Sequence, residues 1–207
     1  MMSELSIYIH WPYCLSKCPY CDFNSHVADK KIDQEEFLEL IEKEMDYHSK
    51  YLDNKKISSI FFGGGTPSLM DPSIIERILA HLFSRCNIEN DTEITMEANP
   101  TSVELQKFRD YSNIGVNRIS IGVQSLDNDD LKNLGRTHTA ELAIEAIGIA
   151  QKYFESVSID LIYARPGQNE KAWKLELERA LSLQTQHLSL YQLTIEPNTT
   201  YEKLYKS

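Results

Sequence analysis

The chain has 207 residues, 42% of them hydrophobic, and a formal net charge of −10. That length and apolar content support one domain with a continuous core and exclude a disordered chain, while the acidic balance opposes nucleic acid or an anionic membrane surface as a partner. Four cysteines are too few for a secreted disulfide scaffold, no basic segment opens the chain, and no run approaches the roughly 18 apolar residues of a membrane helix, so a soluble protein of a reducing compartment, the cytoplasm, is expected.

In chain order, a strand is expected over residues 5–10, then a helix over 33–51, a strand over 57–62, a helix over 72–85 and a strand over 93–97. A helix over 102–112, a strand over 117–123, a helix over 139–154, a strand over 156–162, a helix over 170–183 and a strand over 187–193 complete the series. Asp33, Asp71 and Thr101 or Ser102 stand where N-caps belong, and Asp33 with Glu36 has the form of a capping box. Six parallel strands with right-handed crossovers make either an open doubly wound sheet or a partial (β/α) barrel, and periodicity leaves both open.

His10, Gly63, Glu97, Gln124 and Asp160 or Tyr163 fall at or just after the C-terminal ends of these strands, the rim where both architectures gather their sites. No low-complexity tract or linker divides the chain. After the sixth strand only residues 196–207 remain, where a sixth helix or a further domain is expected to begin.

The loop after the first strand reads Cys14-Leu-Ser-Lys-Cys18-Pro-Tyr-Cys21, so three thiolates can converge on one centre without long-range folding. A structural zinc site or an ordinary electron-transfer cluster takes four ligands. Three cysteines on an iron–sulfur cube leave one iron with an open position for a substrate. Zinc completed by His26 and simple unligated thiols are the alternatives at this stage. Cys86 stands apart and reads as a plain thiol; His10 reads as support for the loop.

The C-x3-C-x2-C spacing resembles the signature of the radical S-adenosylmethionine (SAM) family, and Tyr8-Ile-His10-Trp-Pro12-Tyr-Cys14 with Gly63-Gly-Gly-Thr66-Pro67 resembles its oxygen-independent coproporphyrinogen III oxidase-like branch. Glu97-Ala-Asn-Pro100, Gly122-Val-Gln124-Ser, Leu134-Gly-Arg136-Thr-His138, Ile159-Asp160-Leu-Ile-Tyr and Tyr191-Gln-Leu-Thr-Ile-Glu-Pro197-Asn extend the likeness over the whole chain. It implies an α/β fold, a partial (β/α)6 TIM-type barrel of the radical SAM class, with residues 1–207 forming the core domain and the family's C-terminal accessory region absent.

By the same resemblance, Cys14, Cys18 and Cys21 would hold a 4Fe-4S cluster whose fourth iron binds SAM. Tyr8 and Tyr20 would border cluster and SAM, while Gly64, Gly65 and Thr66 would shape the backbone against the SAM methionine. Glu97 would engage SAM's polar groups, and Gln124, Arg136 and Asp160 would line the region where the oxidases hold a second SAM. Taken singly, the glycine run reads as a tight turn, Glu97 as a helix cap, Gln124 as a partner of buried backbone and Arg136 as a solvated helix-end charge. Asp160, inside a buried strand, needs a partner, for which Arg165 or Arg136 is the candidate.

The oxidases extend the motif by one more cysteine, at the position that Phe23 occupies here. Cys-Pro-Tyr-Cys-Asp-Phe-Asn-Ser-His resembles instead the haem chaperone branch, whose members retain the cluster and SAM site and deliver haem to client proteins. The expected function is therefore haem binding and transfer with SAM cleavage retained. Oxidative decarboxylation of coproporphyrinogen III is the runner-up, which Phe23 argues against, and a zinc-stabilised scaffold without catalysis is the third reading. The implied partners are haem or porphyrin, client proteins, an electron donor for the cluster and a second copy of the chain. His26, His48 and His138 are candidate haem contacts, among which spacing selects none. The resemblance also implies transient membrane association, but the sequence has neither a heptad repeat nor an amphipathic anchor.

Overall fold

The structure is a computed structural model that describes residues 3–28, 32–52 and 55–205. Its first strand, β1 (Ser3–Trp11), leads into a two-residue pair, β2 (Tyr13–Cys14) and β3 (His26–Val27), that pinches the base of the cysteine loop. The other strands are β4 (Lys55–Gly64), β5 (Asn87–Ala98), β6 (Arg118–Gln124), β7 (Ser156–Tyr163) and β8 (His187–Gln192). With β1 they form one parallel sheet in the order β1-β4-β5-β6-β7-β8.

That order decides between the two architectures. A doubly wound sheet reverses its direction of growth at a switch point. Here each new strand adds beside the last, so the sheet winds one way and curls into a half-barrel with β1 and β8 at its edges.

The sheet's two faces follow from a period-2 pattern in the sequence. Ile94, Met96 and Ala98 of β5, Ile119, Ile121 and Val123 of β6, and Val157, Ile159 and Leu161 of β7 are buried in the core. The alternate positions are Thr95 and Glu97, Ser120, Gly122 and Gln124, and Ser158 and Asp160, in register as Glu97 with Ser120 and Ser120 with Ser158. One face therefore packs in an apolar layer and the other lines a polar concavity.

α1 (Gln34–His48) starts at Asp33, whose carboxylate accepts from the Glu36 N–H at 3.0 Å, and α2 (Pro72–Phe83) starts with Pro72 at its first position. α2 buries Ile74, Ile75, Ile78, Leu79 and Leu82, one helical stripe. The helix expected over 102–112 is two, α3 (Ser102–Leu105) and α4 (Phe108–Asn113), because a tight bond from Lys107 N–H to Glu104 O interrupts the α ladder.

α5 (Asn128–Asn133) follows, capped by Asp127, and then α6 (Ala140–Tyr153), capped by Thr139. Ala143, Ala146 and Ala150 give α6 a small-residue face against β6 and β7. α7 (Glu170–Ser182) is capped by Asn169, and α8 (Thr200–Tyr205) ends the described chain. α8 lies within residues 196–207, where a sixth helix or a further domain is expected to begin, whereas six-residue α5 has no counterpart in the sequence reading because fewer than two turns carry no readable period. The predicted helix over 33–51 closes as α1 followed by a 3-10 turn at Ser49–Tyr51.

Candidate functional site

Cys14 ends β2, and the loop beyond it carries Cys18 and Cys21; all three are free thiols. The loop is held at several points. Lys17 Nζ donates to the carbonyls of Phe23 and Ser25, each at 3.2 Å, and the His10 ring bonds the Asn24 carbonyl at 2.9 Å through Nε2. Pro12 O accepts from His26 N–H at 2.7 Å and Cys14 O from Ala28 N–H at 3.0 Å. The three cysteines line one cavity of about 340 Å³.

Tyr20, Gly64, Gly65, Thr66, Glu97, Gln124, Arg136 and Asp160 line the same cavity. Tyr8 does not: it is 57% exposed, bonded to His10 Nδ1 at 3.1 Å and stacked near Phe61. His26 is outside the lining as well, apart from the cavity that the three cysteines share.

The glycine run follows β4 and passes directly beside the cysteine loop. Gly65 N–H donates to Trp11 O at 2.6 Å, and Thr66 N–H to Tyr13 O at 2.9 Å. Gly64 has φ +117°, and a Cβ there would stand 2.7 Å from both His10 and the Trp11 carbonyl; one on Gly65 would stand 2.6 Å from Tyr13 O. Only glycine lets the two backbones approach so closely.

Glu97, at the end of β5, accepts from Gly64 N–H at 3.1 Å. Burial, reinforced by the nearby Asp160 charge and opposed by that hydrogen bond, pushes its carboxyl up to about 7. Asp160 accepts from Ser120 Oγ at 3.0 Å and is likewise raised by burial, against bonds from Ser120 and Ser189. The expected arginine partner for Asp160 is a correction: Arg165 pairs with Asp130 at 2.7 Å and Glu176 at 2.6 Å, and Arg136 reaches Asp160 only as a distant charge. Serines suffice because Asp160 opens on the cavity.

Gln124 ends β6 in the left-handed region, with φ +67°, and its carbonyl accepts from Arg165 Nη1 at 3.4 Å. Arg136 is no solvated helix-end charge. It follows α5 and Gly135, whose φ of +68° brings the turn against Pro19 of the cysteine loop. From there its Nη1 donates to Cys18 Sγ at 3.3 Å and its Nη2 to Gly122 O at 2.9 Å and to Asn99 Oδ1. Arg136 Nε is buried with no hydrogen-bond partner among the described residues. Cys86 lies half-buried against the core, away from the cavity.

Three residues at the site went unread in the sequence. Asn99 stands between Thr66 and Arg136 and was passed over inside Glu97-Ala-Asn99-Pro100, although Asn before Pro at a strand end signals a turn. Glu104 accepts from Asn99 N–H at 2.6 Å and from Ser68 Oγ; its spacing from Thr101 is that of a capping box. Tyr201 of α8 has no local signal: its N–H reaches Pro19 O at 3.0 Å and its hydroxyl Asn133 O at 2.6 Å, so α8 braces the cysteine loop.

Three thiols, the Arg136 guanidinium and a glycine cradle on one cavity fit an iron–sulfur cluster with an open iron and a small polar ligand beside it. The chain matches the Radical SAM superfamily over residues 8–180. It is 42% identical over 201 residues to the Heme chaperone HemW of Escherichia coli (strain K12), covering 97% of this chain and 53% of that one. To the mitochondrial Radical S-adenosyl methionine domain-containing protein 1 of Danio rerio it is 40% identical over 205 residues, 99% of this chain and 46% of that protein. The solved coproporphyrinogen III oxidase (HemN) from Escherichia coli, a radical SAM enzyme, superposes with TM-score 0.87 at 26% identity, over 98% of this chain and 47% of that one. The chain thus spans about half the length of the curated relatives it matches. No helix among the described residues is long and apolar enough to cross a membrane.

Proposed function

This chain belongs to the radical SAM superfamily, whose cofactors are a 4Fe-4S cluster and SAM, and from that membership we propose that it is the cluster-bearing core of a haem chaperone. In this reading Cys14, Cys18 and Cys21 are the cluster ligands, and residues 1–207 are the radical SAM core. The carrying observation is that three free thiols, the glycine turn and polar residues from β5, β6 and β7 open on one cavity. The similarity to proteins named Heme chaperone HemW supports the branch, and so does Phe23.

When bound, the cluster supplies an electron for reductive cleavage of SAM's carbon–sulfur bond. The chain's own groups bind and orient. Gly64 and Gly65 bring the backbone to the ligand, and Glu97, poised near neutrality, ionises to accept a cationic amino group. Gln124, Arg136 and Asp160 line the deeper wall, and Tyr20 borders the cysteines; Tyr8 acts from outside the lining, through His10. The partners in this reading are haem, haem-accepting client proteins, an electron donor and a second copy of the chain. The cytoplasm is the compartment, where all four cysteines stay reduced.

Anaerobic iron–sulfur reconstitution of wild type and Cys18→Ala tests the core of this. About four irons per chain, a paramagnetic signal shifted by SAM and stoichiometric haem binding are expected, the signal and iron being lost in the variant. Tight zinc with no SAM response, or no haem binding, would overturn it. The fold's close match to HemN favours a second reading, coproporphyrinogen III decarboxylation, which protoporphyrinogen formed in a SAM-dependent assay would establish.

A further inference from the structure

Cys14 and Cys18 each accept a side-chain hydrogen bond from a donor that Asn99 holds. Thr66 Oγ1 lies 3.6 Å from Cys14 Sγ, and Arg136 Nη1 lies 3.3 Å from Cys18 Sγ. Asn99 Nδ2 donates to Thr66 Oγ1 at 3.1 Å, and Asn99 Oδ1 accepts from Arg136 Nη2.

The directions in this chain are forced. A guanidinium only donates, so Asn99 must turn its oxygen to Arg136 and its NH2 to Thr66. Thr66 Oγ1, already accepting, is left with its own hydrogen to give to Cys14 Sγ. Asn99 in turn cannot swing away. Its N–H is held by buried Glu104 at 2.6 Å, and Glu104 also takes hydrogen bonds from Ser68 and, at 3.1 Å, from Thr101. Pro100 fixes the next backbone torsion.

We propose that Asn99 is a positioning residue that raises the reduction potential of the cluster by aiming Thr66 at Cys14 Sγ and Arg136 at Cys18 Sγ. Hydrogen bonds and positive charge at ligand sulfurs stabilise the more negative, reduced cluster and move its potential upward. The inference rests on the cluster reading above.

Asn99→Asp separates this role from mere bracing. The carboxylate keeps Arg136 but can only accept from Thr66, which turns the hydroxyl away from Cys14 and adds a negative charge. Thr66→Val removes the hydroxyl at nearly constant shape; Thr66→Ser retains it. The experiment is a mediated redox titration with dithionite of the reconstituted chain, followed by electron paramagnetic resonance, with iron and sulfide counted for every variant.

The expected result for Asn99→Asp is a tenfold or greater fall in the reduced-to-oxidised ratio at fixed potential, about 59 mV for one electron. Thr66→Val should shift in the same direction and Thr66→Ser should match wild type. Asn99→Asp and Thr66→Val that retain the wild-type midpoint, whether at full or reduced iron content, would overturn the proposal and leave the cluster reading intact. A wild-type chain that takes up no iron and sulfide would overturn both.

Discussion

Glu97 is the residue whose charge state the fold alters most usefully. Its carboxyl sits at about 7 in the folded chain against an ordinary 4.5, chiefly through burial. The folded form therefore binds more protons than the unfolded form between those values, and its stability falls as pH rises through the window. The loss amounts to up to about 3 kcal/mol. Urea unfolding of the metal-free chain across pH should show that Glu97→Gln lacks this component. Parallel wild-type and variant profiles would exclude it. His138 has the opposite sign: burial, with the Arg136 charge adding to it, depresses the ring to about 4, against a bond to Val123 O. Its contribution is present above pH 6.5 and lost as pH falls toward 4, so His138→Gln should flatten the acid limb of the same profile.

Between elements, one buried carboxylate ties α7 to the turns after β6 and β7. Glu176 accepts from Ser125 Oγ at 2.6 Å, Leu126 N–H at 2.8 Å and Arg165 Nη2 at 2.6 Å. Those turns carry Gln124 and its neighbours at the cavity rim, so the pin positions part of the site without touching it. Glu176→Ala leaves a buried guanidinium short of a partner and should cost about 3–5 kcal/mol in urea unfolding. The paired change Arg165→Met with Glu176→Leu should cost less, because it removes both charges and keeps the volume. Equal losses for the single and the paired change would show that packing, rather than the unpaired charge, sets the cost.

For the whole molecule, the half-barrel is one continuous hydrogen-bonded sheet, whereas the cysteine loop is held mainly by side-chain and turn hydrogen bonds. The loop's strand pairing is limited to β2 and β3, and Lys17 within it is exposed. Cluster binding fixes three of its residues at once, and a ligand that binds only the ordered form stabilises it by mass action. Trypsin should cut the metal-free chain after Lys17, and reconstitution should slow that cut on the order of tenfold. Removing iron with a chelator should restore the cut. Equal cleavage in both states would mean that the loop is already fixed without metal.

The sequence by itself determined the strand series, most of the helices, the cysteine spacing and the alternation that makes one sheet face polar, because each is written in local order: period, cap and spacing. It also placed Glu97, Gln124 and Asp160 at strand ends, where a parallel sheet gathers its polar groups. The direction in which the sheet winds was left to the tertiary structure, since a doubly wound sheet and a half-barrel share the same local signals. So were the partners of Asp160 and Arg136, the bracing of the loop by Tyr201, and the bridge from Asn99 to two cysteine sulfurs. Those contacts join residues from 14 to 182 positions apart, and a hydrogen bond at such separations has no local signature, being set by where the curl of the sheet carries each side chain.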